Sequence, residues 1–251
     1  MFHVKQSKCR KYRKIAVSRE TYPSIGNFLL GKEMKALELL FPGISNIQRE
    51  QLDRYAELLL EFNRRFNLLS RADQANLWQH HMFPSLIAEA VIPLPAAAAL
   101  IDVGSGGGFP GLPWKIIRPD LQVVLVDSIR KKVLFLKKVI QDLKLTNIIA
   151  LQVRVSPEYD LLQLGGRFDV VSARAVASLH TLLKSSKYLL NSQGFILAWK
   201  GESDLLELQD KRLSMQTQSE IYDIPEKFHH LSPKFADMRL VKLKPFQGKV
   251  T

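Results

Sequence analysis

The 251-residue chain has one cysteine, Cys9, which excludes an internal disulfide and any metal cage built from several thiolates. Its longest apolar stretch, 90–101, is broken by Pro93 and Pro95 and is too short to cross a bilayer. No charged start leads into an apolar run with a small-residue cleavage site, so the expectation is an unsecreted protein of a reducing interior, most simply a bacterial cytoplasm. Apolar residues are not scarce. At 46% hydrophobic and 24% charged, the composition excludes a wholly disordered or low-complexity polymer. The length suits one α/β domain with an appendage, or two small domains. Acid is what runs short: 24 Asp and Glu stand against 36 Lys and Arg, a net charge of +12. Such a surface attracts polyanions, although a solubilising charge alone gives the same balance.

The distribution of charge says more. Residues 1–20 hold seven basic residues (Lys5, Lys8, Arg10, Lys11, Arg13, Lys14, Arg19) and one acid, Glu20, with few apolar residues to pack. The expectation for 1–33 is a flexible basic arm, with an organelle targeting peptide as the alternative. A short helix is expected over 34–41, stopped by Pro42-Gly43, and Ser45-Asn46-Ile47-Gln48 reads as a capping box opening a second. In that helix Leu52, Tyr55, Leu59, Phe62 and Phe66 recur every three or four residues, an apolar stripe for packing. A third helix is expected over 75–90, and the Pro93/Pro95 stretch closes this helical subdomain, 34–95.

Beyond Pro95 apolar runs alternate with amphipathic segments. The expected strands are 100–103, 123–126, 148–151, 168–172 and 195–199, with helices over 112–117 and along the stripe Ile129, Val133, Leu136, Ile140 and Leu143. Strand alternating with helix implies a parallel sheet covered on both faces. Polar and apolar residues alternate over 219–224 and 239–243, which suggests a closing antiparallel pair. Together 96–251 read as one α/β domain.

Chemistry concentrates after the first strand, in Gly104-Ser105-Gly106-Gly107-Gly108-Phe109-Pro110-Gly111. Glycines there let the backbone approach a ligand closely, and a helix start offers free N–H groups. The second strand ends in Asp127, 23 residues after Gly104, where a carboxylate can accept bonds from two ribose hydroxyls. A tight turn without a ligand is one reading. A dinucleotide site is another, since Gly106-x-Gly108-x-x-Gly111 fits G-x-G-x-x-G, but that pattern is weak by itself. Pro110 lacks an N–H for a pyrophosphate, and Asp102 would set a negative charge at the mouth. A sulfonium ligand, S-adenosylmethionine, meets both objections, because it has no phosphate and tolerates an acid beside its amino acid moiety.

The stretch Asp102 to Gly111, then Leu125-Val126-Asp127-Ser128 and Ser172-Ala173-Arg174-Ala175, resembles the RsmG/GidB family of bacterial methyltransferases. The resemblance implies a class I S-adenosylmethionine-dependent methyltransferase fold, a Rossmann-like seven-stranded mixed sheet of order 3-2-1-4-5-7-6. It further implies methyl transfer to nitrogen 7 of a guanine in 16S ribosomal RNA, free or in the small-subunit particle. Carried over by position, the cofactor contacts fall on Gly104, Phe109, Val155, Ser156 and Arg174. Asp127 matches the ribose-binding acid of the wider class, and Asp102 and Gly106 complete the expected site. Asn67-Leu68-Leu69-Ser70 departs from a family Asn-Leu-Thr-Ser, and His81-Met82-Phe83-Pro84-Ser85 from His-x-x-Asp-Ser. His81 reads as a structural histidine, and no catalytic acid, base or metal ligand is expected. Arg174 has an ion-pair role as its alternative, and Lys200 is either a phosphate contact or an exposed lysine. Arg130, Lys137 and Lys144 are spaced by seven, so they share one side of their helix, either solvated or facing phosphate. The rival functions are an NAD-type oxidoreductase and an RNA-binding protein with a degenerate cofactor site.

Overall fold

The computed structural model describes residues 31–155, 168–174 and 178–246. Its helical front begins with α1 (Gly31–Leu40), inside the stretch expected to be arm, and turns at Pro42-Gly43. Ser45 then caps α2 (Asn46–Phe66): its hydroxyl accepts from the Gln48 N–H at 3.2 Å, while the Gln48 side chain accepts from the Ser45 N–H at 2.9 Å. The amide of the same Gln48 donates to the carbonyls of Ile116 and Ile117, at 3.0 and 2.9 Å, the last residues of α5 (Gly111–Ile117). One side chain thus opens one helix and satisfies orphan carbonyls at the end of another.

The helix expected over 75–90 is broken. The chain forms α3 (Arg71–Ala75), a widened π turn at Trp78–Met82, and α4 (Phe83–Val91). Pro84 has no N–H to donate back to His80, and its ring crowds that turn. The helix therefore opens one residue earlier, where the Phe83 N–H reaches the Trp78 carbonyl.

The strands are β1 (Ala99–Val103), β2 (Gln122–Asp127), β3 (Ile148–Gln152), β4 (Phe168–Arg174), β5 (Leu190–Gly201), β6 (Thr217–Asp223) and β7 (Met238–Pro245). They form one seven-stranded sheet in the order β3-β2-β1-β4-β5-β7-β6, as expected. β1 to β5 run parallel, and β7 lies antiparallel between β5 and β6, which closes the edge with the foreseen pair. α5 and α6 (Arg130–Asp142) make the crossovers around β2. A helix not expected from the sequence, α7 (Leu179–Ser186), precedes β5 with Ser178 as its cap, and the short α8 (Lys211–Ser214) precedes β6.

Both faces of the sheet are covered. On one, Leu100, Val123, Leu125 and Val170 pack with Leu52, Tyr55 and Leu59 of α2, Leu86 and Ile87 of α4, Trp114 of α5 and Phe135 of α6. The front therefore shares its core with the sheet. On the other face Ile101, Val124, Val126 and Val171 pack with Leu179, Leu182 and Leu183 of α7. Each such buried side chain stabilises the fold by about 1.5–3 kcal/mol relative to exposure. Two indoles fasten α4 to the sheet side: Trp114 donates to the Ser85 carbonyl and Trp199 to the Pro84 carbonyl, both at 2.7 Å.

Strand order reverses at β1, whose neighbours are β2 and β4. Sheets of this kind bind ligands outside the carboxyl ends of the strands at such a point. The glycine turn leaves β1 there, and Arg174 ends the neighbouring β4.

Candidate cofactor site

The turn is pinned to β2 before it bends. The N–H groups of Gly104 and Ser105 both donate to the Val126 carbonyl, at 2.9 and 3.0 Å. The Ser105 hydroxyl donates to the Asp102 carbonyl at 2.8 Å and accepts from the Val126 N–H at 3.1 Å. Gly104 and Gly106 adopt φ of 71° and 58°, conformations an L side chain takes only at a cost of about 1–2 kcal/mol. A Cβ on Gly106 would find only the Gly104 carbonyl oxygen, at 3.7 Å, so space lies open beside it. Gly111 is the opposite case. Its Cβ would fall 2.4 Å from the Leu125 side chain, so α5 packs as close to β1 and β2 as a glycine permits.

Asp127, at the end of β2, meets this turn. One of its carboxylate oxygens accepts from the Gly106 N–H at 3.0 Å and the other from the Ile129 N–H at 2.8 Å, with the Lys132 ammonium 3.7 Å away. Each oxygen keeps a further lone pair for a ligand hydroxyl. Asp102 is placed differently from the expectation. It is fully buried beneath the turn, not at its mouth, and accepts from the Ser172 hydroxyl at 2.8 Å and the Gly111 N–H at 3.3 Å. Burial pushes its carboxyl up to about 6, against the pull of the Ser172 hydroxyl. The side chain joins β1 to β4 and to the first turn of α5, and so builds the floor of the site.

Phe109 is buried at the centre of a cluster. Its ring centroid lies 5.6 Å from that of Tyr55 and 5.0 Å from that of His81, and the Arg174 guanidinium carbon sits 5.1 Å above it. Arg174 reaches toward the front, donating to the His81 carbonyl at 3.1 Å, to Ser85 at 3.4 Å and, in a short bond, to His81 Nδ1. These partners are neutral, and among the described residues no carboxylate pairs with the guanidinium. Burial lowers the guanidinium to about 10, which leaves it charged at neutral pH. Tyr55, assigned from sequence to packing alone, is also polar in its contacts: its hydroxyl donates to the Gly107 carbonyl at 2.6 Å.

Val155 follows β3, half-buried against the core of the second face, while Ser156 lies outside the described residues. Lys200 is largely buried. Its side chain is only 9% exposed and pairs with Glu207 at 2.8 Å, so it is not the ordinary exposed lysine of the alternative. Arg130, Lys137 and Lys144 are all exposed, as is Lys138, which pairs with Asp142 at 3.0 Å. The basic arm lies outside the described residues up to residue 30. Among the described residues, no helix is long and apolar enough to cross a membrane.

Strand order and the glycine turn at the reversal define the class I methyltransferase fold. The fibrillarin pre-rRNA processing protein of Methanococcus jannaschii is similar, with a TM-score of 0.51 at 14% identity, over 68% of this chain and 78% of that one. A predicted O-methyltransferase from Agrobacterium tumefaciens gives 0.50 at 13% identity, over 66% and 81%. Likeness at these identities speaks for the fold alone. Sequence goes further: the model of the GidB family, rRNA small subunit methyltransferase G, matches residues 48–233, and the chain belongs to that family. It is 37% identical to the ribosomal RNA small subunit methyltransferase G of Psychromonas ingrahamii, over 72% of this chain and 84% of that one. For the protein of the same name from Halorhodospira halophila the identity is 38%, over 70% and 80%.

Proposed function

We propose that the protein transfers the methyl group of S-adenosylmethionine to nitrogen 7 of a guanine in 16S ribosomal RNA, in the cytoplasm. The observation that carries this is a glycine turn built at the strand-order reversal, with Asp127 beside it, in a chain of the rRNA small subunit methyltransferase G family. The residues present fit the cofactor. Space is open beside Gly106, Asp127 retains acceptor capacity for ribose hydroxyls, and Pro110 removes an N–H that only a phosphate would need. Gly104, Gly106 and Asp127 would hold it from the turn and β2, Val155 from the segment after β3, and Phe109 and Arg174 from the far wall, with Ser156, outside the described residues, carried over from the resemblance.

When bound, the cofactor supplies an electrophilic methyl group. Guanine nitrogen 7 carries a lone pair and no proton, so the chain has no proton to remove and contributes proximity and alignment. His81 agrees with this: burial, then the Arg174 charge, lower it to about 4, and its Nδ1 lone pair is already held by Arg174. The basic arm, 1–33, and the exposed Arg130, Lys137 and Lys144 supply positive charge for RNA phosphates. In this reading the front, 34–95, is the subdomain that faces RNA, and 96–251 holds the cofactor.

Calorimetric titration with S-adenosylmethionine, followed by transfer of labelled methyl from it to small-subunit RNA, tests the proposal. Saturable one-site binding and label in the RNA are expected. RNA binding without cofactor affinity would instead make this a degenerate site.

A further inference from the structure

We propose that His81 is a positioning residue of the cofactor site, acting through Arg174 and oriented by Asp73. The inference rests on the cofactor reading above and adds a dependence of that site on the helical front.

The chemistry of the three groups fixes their order. A guanidinium has donors only, so the His81 nitrogen facing Arg174, Nδ1, must present its lone pair. The ring proton then sits on Nε2, which is buried and makes no hydrogen bond but lies 3.3 Å from a carboxylate oxygen of Asp73, close enough to feel its charge. Asp73 is itself held, since the Ser70 hydroxyl donates to one oxygen at 2.6 Å and His80 Nδ1 lies 2.9 Å from the other. Burial works against its charge, but these bonds keep the carboxyl down at about 2, so it stays ionised. The fixed negative charge beside Nε2 favours the tautomer that can accept from Arg174.

The chain of contacts ends at the turn. Held by His81 Nδ1 and the His81 carbonyl, the guanidinium lies over Phe109, which also packs on Tyr55, the residue bonded to Gly107. Asp73 and His81 belong to the broken helix of the front, whereas Arg174 ends β4. The wide turn before Pro84 therefore has a use, because it contains His81, which faces the sheet. Without the ring nitrogen, the buried cation keeps only the His81 carbonyl and the longer Ser85 contact, and its Nη2 loses its acceptor, which frees the guanidinium to shift from over Phe109.

The experiment compares His81→Ala, His81→Gln and His81→Asn with the wild type, each shown to be folded by circular dichroism. Asparagine can put its carbonyl oxygen near the place of Nδ1, which glutamine cannot. S-adenosylmethionine affinity by calorimetry should fall about tenfold or more in the alanine and glutamine variants, the scale of a lost charged hydrogen bond, and stay within about threefold in the asparagine variant. In an Arg174→Ala background, His81→Ala should change affinity less than about twofold, because its route to the cofactor is gone. Nitrogen-15 NMR of the ring, assigned by difference from His81→Ala, should show the Nε2–H tautomer, with Asp73→Asn shifting it. Unchanged affinity in His81→Ala alongside weakened affinity in Arg174→Ala would overturn the proposal and leave the cofactor reading standing. So would an Nδ1–H tautomer, which is read without any cofactor. No binding by the wild type would overturn the cofactor reading, and with it the positioning role of His81.

Discussion

The hydroxyl of Tyr55, on α2, donates a 2.6 Å hydrogen bond to the carbonyl of Gly107, 52 positions later, in the turn that leaves β1. The tyrosine is fully buried, so its partner has no water to fall back on. Tyr55→Phe should therefore destabilise the protein by about 1–3 kcal/mol, the cost of an orphaned buried carbonyl, with little change in packing. Chemical denaturation checks this, and an unchanged midpoint would show that the bond contributes nothing.

The glycines of the turn should separate into two kinds. Gly111→Ala drives a methyl to 2.4 Å from Leu125 and should lower stability by about 1–3 kcal/mol. Gly106→Ala meets no atom closer than 3.7 Å, so its stability loss should stay near the roughly 1–2 kcal/mol set by its φ of 58°. Its new methyl enters the space assigned to the ligand, so cofactor affinity should fall by more than stability does. Denaturation and calorimetry on the two variants decide the matter, and full affinity in Gly106→Ala would move the ligand elsewhere.

Two buried groups should give stability opposite pH slopes. His81 is lowered to about 4 from an ordinary value near 6.5, so between those values the unfolded chain binds the extra proton and stability from this group rises with pH. Asp102 is raised to about 6 from near 3.8, so the folded chain binds the extra proton, and that stability is lost as pH rises through about 6. Relative to wild type, His81→Ala should become less destabilising as pH falls from 6.5 toward 4, by an amount on the order of 1–3 kcal/mol. Asp102→Asn should become less costly as pH rises over 4 to 6. Denaturation at pH 4.5, 5.5 and 7 reads both, and parallel curves would remove these shifts.

The sheet was legible because its central strands are buried on both faces and so read as short, nearly unbroken apolar runs, as in Val123 to Val126. The capping box at Ser45 and the pairing of β6 with β7 were legible for similar local reasons. What escaped depended on distance or brevity. α7 is only eight residues long, and Leu179, Leu182 and Leu183, which recur at helical spacing behind the Ser178 cap, span barely two turns. Lys200 gave no sign of being buried, since Glu207 reaches it only through a tight turn after β5. Asp102 lies buried beneath the turn and not at its mouth because of its register opposite Ser172, 70 positions away, which no local pattern reveals. Tyr55 sat in an apolar stripe, and the one hint of another role was its hydroxyl, which a buried site must satisfy.

Replacing Arg130, Lys137 and Lys144 by glutamine should weaken RNA binding and flatten the plot of log affinity against log salt by up to about 2, if all three neutralise phosphates of a single strand. S-adenosylmethionine affinity should not change, because these side chains are exposed on α6 and just beyond it. An identical slope in the triple variant would leave the face merely solvated.

The atom that receives the methyl group distinguishes this activity from other RNA methylations. Guanine methylated at nitrogen 7 becomes a cationic ring that borohydride reduces and aniline then cleaves, so the strand breaks at the modified nucleotide. Small-subunit ribosomal RNA lacking such a methyl group, incubated with the protein and labelled S-adenosylmethionine, should take up label and break at one new guanine. Label taken up without a new break would contradict the assignment, because the methyl group would then lie on another atom.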